Sequence, residues 1–156
     1  MAAIYVSMAT AEQNGWNDRN RERKAMIEIG SKYRLEKIVT EELTAQRIDS
    51  GALRVFGTPF MIAMMETAAA AYLQQFLSNE QSSVGVLVHV QHSSPTPVGM
   101  RVWAEAVVTR ISENGKMIDF AVSAWDEKGP IGSGTHTRAI INNERFLSKC
   151  YAKLEQ

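Results

Sequence analysis

From residue 31 onward, apolar positions recur in two periods. Residues 33–40, YRLEKIVT, alternate loosely and predict a strand. Residues 41–54 are polar around Gly51 and predict a loop or short helical lid. Residues 58–78 then predict one long helix. Thr58 suits the N-cap and Pro59 the first helical position, where a missing N–H costs nothing. Met61, Met65, Ala69, Tyr72 and Phe76 follow at helical spacing. This helix is apolar on nearly every side, so other elements should wrap it.

The remainder reads as β structure. Residues 84–92 alternate, which places Val84, Val86, Val88, Val90 and His92 on one face. The run SSPTP at 93–97 breaks that strand, and residues 100–111 form the next. Asn114-Gly115 predicts a two-residue hairpin, with residues 116–125 as the returning strand. EKGP at 127–130 turns the chain into a last long strand, 131–142, followed by a short helix within 143–154. Gly132 and Gly134 in that strand predict a bulge or a close backbone approach. A sheet curling around one apolar helix is the economical way to cover it. The expected fold is therefore α+β, a hotdog with about five antiparallel strands wrapped on one long helix. Such a sheet leaves an edge strand, which pairing with a second copy would cover. Residues 1–25 are read as an N-terminal extension, polar from residue 9 onward and without lasting period, and residues 26–156 as the one hotdog domain.

Composition narrows the function classes. The chain has 156 residues, 45% apolar and 22% charged, the balance of a globular protein. Seventeen basic residues oppose seventeen acidic ones. That balance argues against a general nucleic-acid binder and against a polybasic membrane anchor. The single cysteine, Cys150, excludes an internal disulfide and a multi-cysteine zinc site. Residues 1–8 lack the basic flank of a secretory signal. Residues 59–77 are long enough to span a bilayer, but Glu66 near their middle would cost roughly 3 kcal/mol on insertion. A cytoplasmic protein is expected, with no membrane partner.

Few residues are candidates for chemistry. Glu66 is the only charged residue between Val55 and Asn79. A buried carboxylate must be paired, protonated or exposed in a cavity, so Glu66 is either a structural partner of an arginine or a catalytic group. His92 ends the valine face, where a histidine is a satisfied core residue or a base. His89 lies on the opposite face and reads as structural. His136 and Arg138 share a face, as a surface strand pair or as a contact to a ligand phosphate. Gly85 would let a substrate carbonyl approach the backbone. Trp16, Trp103 and Trp125 read as packing residues. No metal-ligand spacing and no phosphate or dinucleotide loop is present, so neither metal nor cofactor is expected.

Three segments in order carry a resemblance: VFGTPFMIAMMETAA (55–69), VGVLVHVQHSSPTPVGMRV (84–102) and DEKGPIGSGTHTR (126–138). They resemble the hotdog thioesterases of the fluoroacetyl-CoA thioesterase family, over about residues 26–150. The resemblance implies hydrolysis of an acyl-CoA by a threonine, a glutamate and a histidine, matched by Thr58, Glu66 and His92. It implies that Gly85 contacts the thioester through its backbone, and that a homodimer carries the sites at its interface. Under it, His92 is base or shuttle, Glu66 orients His92 or activates water, and Thr58 is nucleophile or orienter. One feature departs from the family: residues 47–54, RIDSGALR, lack the lid phenylalanines of the fluoroacetyl-specific enzyme, so a general short acyl-CoA is the expected substrate. The alternatives are a non-catalytic acyl-CoA or small-ligand binding module on this fold and, more remotely, a hydratase of enoyl thioesters.

Spacing sets one further expectation. On a regular helix, eight residues separate the Cα atoms of Thr58 and Glu66 by about 12 Å and their directions by about 80°. They cannot share a hydrogen bond. Either Thr58 lies on non-helical chain folding back, or, as the Thr-Pro helix start favours, Thr58 meets Glu66 or His92 of a second subunit.

Overall fold

The computed structural model describes residues 26–155; the N-terminal extension, and Trp16 within it, lies outside the described residues. Strand β1 (Lys32–Ile38) leads through two single turns of 3-10 helix, Glu41–Leu43 and Gln46–Ile48, into helix α1 (Thr58–Gln74). Strands β2 (Gln81–His92), β3 (Arg101–Ile111), β4 (Met117–Asp126) and β5 (Gly129–Asn142) follow, and helix α2 (Asn143–Tyr151) packs at the end of β5. All pairings are antiparallel, in the order β1-β3-β4-β5-β2, so β1 and β2 are the edges. Asn114 and Gly115 do turn β3 into β4. They sit inside a four-residue loop closed by Ser112 N–H donating to Met117 O, rather than forming a two-residue hairpin.

Helix α1 starts one residue earlier than its Thr-Pro signal indicates. Gly57 is the extended N-cap, and Thr58 and Pro59 are the first two helical residues. Thr58 makes no capping hydrogen bond, which leaves its hydroxyl free for other work. The buried face of α1 carries Met61, Met64, Met65, Ala68, Ala69, Tyr72 and Leu73. It meets Ala104, Ala106 and Val108 of β3 and Ile118, Phe120, Val122 and Ala124 of β4. Alanines in the middle of β3 and of the helix let the two approach closely. Full burial of a side chain such as Leu73 contributes about 1.5–3 kcal/mol. The helix is not wrapped on every side within one chain: Ala63 and Thr67 are exposed, and Glu66 and Ala70 partly so.

The five-residue alternation expected in β2 is broken. The pairing with β5 shifts between Gly85 and Leu87, making Val86 the extra residue of a bulge. Beyond it, Val88, Val90 and His92 stand opposite His136, Gly134 and Gly132, on the helix side; before it, Gly85 stands opposite Arg138, also on the helix side. Val84 therefore faces away from the helix. Gly85 and His92 are seven residues apart, an odd number that on a regular strand puts them on opposite faces. The bulge brings them to one face. His89 faces away from His92, as the alternation predicts.

The glycines of β5 are places of close approach. A Cβ on Gly134 would lie 2.6 Å from Val90 Cα and closer still to the His89 carbonyl, both backbone and unable to swing aside. Gly134→Ala is expected to destabilise the protein by about 1–3 kcal/mol. A urea transition with a lower midpoint and unchanged slope would show this; an unmoved midpoint would contradict the packing.

Candidate active site

Two elements bring Thr58 and His92 together. The first turn of α1 presents Thr58, and the end of β2 presents His92 on the helix side. Thr58 Oγ1 lies 2.7 Å from His92 Nδ1 within one chain. Contact of Thr58 with His92 of another subunit, one of the arrangements expected above, is thereby corrected: the pair forms in cis. It does so because the hydroxyl, released from capping, points from the helix start to the adjacent strand end. With the hydroxyl donating to Nδ1, the imidazole proton sits on Nε2, the tautomer in which His92 can accept the threonine proton.

Burial pushes the His92 pKa below the ordinary histidine value, against a smaller opposing pull from the backbone of Ser94. A lowered pKa favours the neutral imidazole, the form that can accept a proton. Its Nε2 is buried and has no hydrogen-bond partner among the described residues. An unsatisfied buried N–H costs about 1–3 kcal/mol, which marks Nε2 as a position that needs an acceptor. Phe56 meets the ring edge-on, with centroids 6.3 Å apart.

The pair opens on a cavity of about 290 Å³ lined by Ala45, Ser50, Val55, Phe56 and the loop Ser93–Pro95. The lid that forms one wall is tied down. Arg54 makes a two-pronged ion pair with Glu41, Ala45 N–H donates to Val55 O, and Gly57 N–H donates to Leu43 O. Behind the opposite wall, buried Thr96 donates to Asp126 Oδ2 at 2.8 Å, which anchors the loop after His92.

Glu66 lies elsewhere in the same chain. Its Oε2 is 3.5 Å from Arg138 Nη1 and 4.0 Å from His136 Nε2, so within one chain it does not orient His92. His136 and Arg138 are not a surface pair. They are 1% and 7% exposed, because β5 is an inner strand and both residues face the helix. Arg138 is held by Ser83: Nε donates to Oγ at 2.9 Å and Nη2 to the carbonyl at 2.7 Å. His136 Nδ1–H donates to Leu87 O at 2.8 Å, which leaves Nε2 to accept from Arg138 at 3.2 Å. Burial lowers the His136 pKa first of all, consistent with that neutral tautomer. Neutral His136 is no ion partner for Glu66; Arg138 is. The carboxylate thus has the arginine neighbour of its structural reading, while still opening on a cavity of about 340 Å³ with Ala63, Thr67, Ala70 and Arg138.

Gly85 borders this second cluster. A Cβ there would come within 2.7 Å of Glu66 Oε2 and 3.3 Å of His136 Cε1. The glycine makes room for the carboxylate in the chain itself. Trp103 and Trp125 lie on the outer sheet face, with the Arg34 guanidinium 4.8 Å and 5.9 Å from their ring centroids. Burial of His136 and Arg138 was the feature least visible beforehand. Its one sequence signal is their spacing of two on a strand that alternation places in the middle of the sheet.

A family model described as fluoroacetyl-CoA-specific thioesterase matches residues 39–144 of the chain. The fluoroacetyl-CoA thioesterase of Streptantibioticus cattleyicolor is 36% identical over 99 residues, 64% of this chain and 70% of that protein. A solved structure of the fluoroacetyl-CoA thioesterase FlK matches with a TM-score of 0.77 and 29% identity, over 82% of this chain and 98% of that one. A hot-dog-like protein from Thermanaerovibrio acidaminovorans, 22% identical, matches with a TM-score of 0.74 over 85% of this chain and 96% of its own, a likeness of fold alone.

Proposed function

Because the chain belongs to the fluoroacetyl-CoA-specific thioesterase family, we propose that it hydrolyses short acyl-CoA thioesters to the free acid and CoA at the Thr58–His92 pair. The observation that carries this reading is the 2.7 Å contact between a hydroxyl relieved of capping and a neutral imidazole, at the mouth of a cavity. Thr58 Oγ attacks the thioester carbonyl while His92 Nδ1 takes its proton. Charge developing on the carbonyl oxygen is favoured beside the N-terminus of α1. The C–S bond breaks, His92 returns the proton to the leaving thiolate, and water activated by the same base then hydrolyses the threonine ester.

We assign Glu66 to the site of a second copy. Strand β2, an edge among the described residues, exposes Val86, Leu87 and Val88 at 56%, 52% and 39%, an apolar edge that pairing with another β2 would cover. In such a homodimer, Glu66 of one copy is the acceptor for His92 Nε2–H of the other. Gly85, on the helix face of the same strand, contacts the thioester through its backbone at that interface. The lid without aromatic residues supports a general short acyl group in place of fluoroacetyl. No described helix is long and apolar enough to cross a membrane, and with a balanced charge and one cysteine the protein is read as cytoplasmic.

The test is thiol release over a panel of acyl-CoAs as a function of pH. Release from the short members is expected. Because the His92 pKa is lowered, the acid limb of kcat/KM should reach half its maximum below the ordinary histidine value of about 6.5, as the base becomes protonated. The absence of release from every acyl-CoA would leave the binding-module alternative in its place.

A further inference from the structure

We infer that Phe56 is the partition that limits the length of the acyl group, an inference that rests on the thioesterase reading above. Of the residues lining the cavity beside Thr58 and His92, Phe56 alone is fully buried, at 2% exposure, so it is the floor. The same side chain lines a second, smaller cavity of about 60 Å³, bounded also by Lys37, Leu43, Phe60, Ala63, Met64 and Thr67 and reaching the surface beside exposed Lys37, Ala63 and Thr67. No other residue borders both. In the same measure one water-sized group needs about 10–15 Å³, so this second space has room for a few further methylenes.

The wall is fixed in place. Phe56 N–H donates to Thr96 O at 2.9 Å, Thr96 is itself held by Asp126, and the neighbouring Gly57 N–H is tied to Leu43 O. Phe56 also stands edge-on to the His92 ring. An acyl carbonyl seated at Thr58 Oγ1 has CoA directed to the open side of the cavity. Its acyl chain runs toward the floor, where the Phe56 ring stops it short of the second cavity.

The experiment compares kcat/KM for acetyl-, butyryl-, hexanoyl- and octanoyl-CoA in the wild type, Phe56→Leu, Phe56→Ala, and Phe56→Leu combined with Ala63→Leu. The wild type is expected to lose roughly tenfold or more between acetyl- and octanoyl-CoA, the usual worth of methylenes that do not fit. Phe56→Leu should raise the hexanoyl-to-acetyl ratio about tenfold and Phe56→Ala further. Ala63→Leu, filling the second cavity, should reverse the gain. The ratio is the readout, so a general loss of rate from disturbing His92 does not mimic the effect. A wild type that cleaves octanoyl-CoA as fast as acetyl-CoA overturns the inference without any variant, even if the substitutions unfold the protein. Folded variants whose ratio stays within about threefold of wild type overturn it as well. Wild-type protein that releases no thiol from any acyl-CoA refutes the thioesterase reading instead, and the inference falls with it.

Discussion

Replacing His92 by alanine is expected to lower thiol release from short acyl-CoAs at least 10²-fold, the scale of a lost general base, while the protein stays folded. The effect should fall on kcat, because His92 takes and returns a proton without holding CoA. Little stability should be lost. The ring is partly exposed, its Nε2 has no hydrogen-bond partner among the described residues, and the contacts that disappear are those to Thr58, Phe56 and the Ser94 backbone. Thr58→Val should match the loss and Thr58→Ser should restore much of it, since serine keeps the hydroxyl beside Nδ1. Circular dichroism and a thermal melt check the fold. Wild-type rates in folded His92→Ala would remove histidine from the mechanism.

The second large effect is a gain. Thr58→Ala and Glu66→Gln proteins are each expected to be inactive alone and to recover activity when mixed under conditions that exchange subunits. If Glu66 of one copy serves His92 of the other, each mixed dimer holds one intact site and one doubly damaged one. Activity should then approach half of wild type per mixed dimer. Separation by eight helical residues forbids Thr58 and Glu66 from bonding directly in one chain. No recovery, although mixed dimers are shown to form, would place all the working groups in one chain. A Glu66→Gln protein active on its own would reduce the carboxylate to the partner of Arg138, and water would then be the acceptor at Nε2.

Features set by local physics were legible in the residues. The apolar run around Met61–Leu73 declared a helix needing cover, the alternating strands declared a sheet to cover it, and the glycines at 132 and 134 marked close approach. The contact of Thr58 with His92 was not legible. It depends on Gly57 taking the cap in place of the threonine, a choice made by the chain arriving from the lid. The burial of Arg138 escaped notice because arginine alone signals a surface. Only the tertiary neighbours Ser83, His136 and Glu66 make an inner position tolerable.

The bulge at Val86 carries a consequence for insertions and deletions. Losing that one residue would leave a regular ladder with every backbone partner intact, so the fold would survive. The separation of Gly85 and His92 would fall from seven to six, an even number, and both would stay on the helix side, opposite Arg138 and Gly132. A single-codon deletion here is therefore expected to remove the local kink of the bulge and the exposed Val86 side chain, and to leave the direction of the site residues as it is. Between Gly85 and His92, the site fixes the number of paired residues, while the length of the chain is free to vary by the one residue that the bulge absorbs.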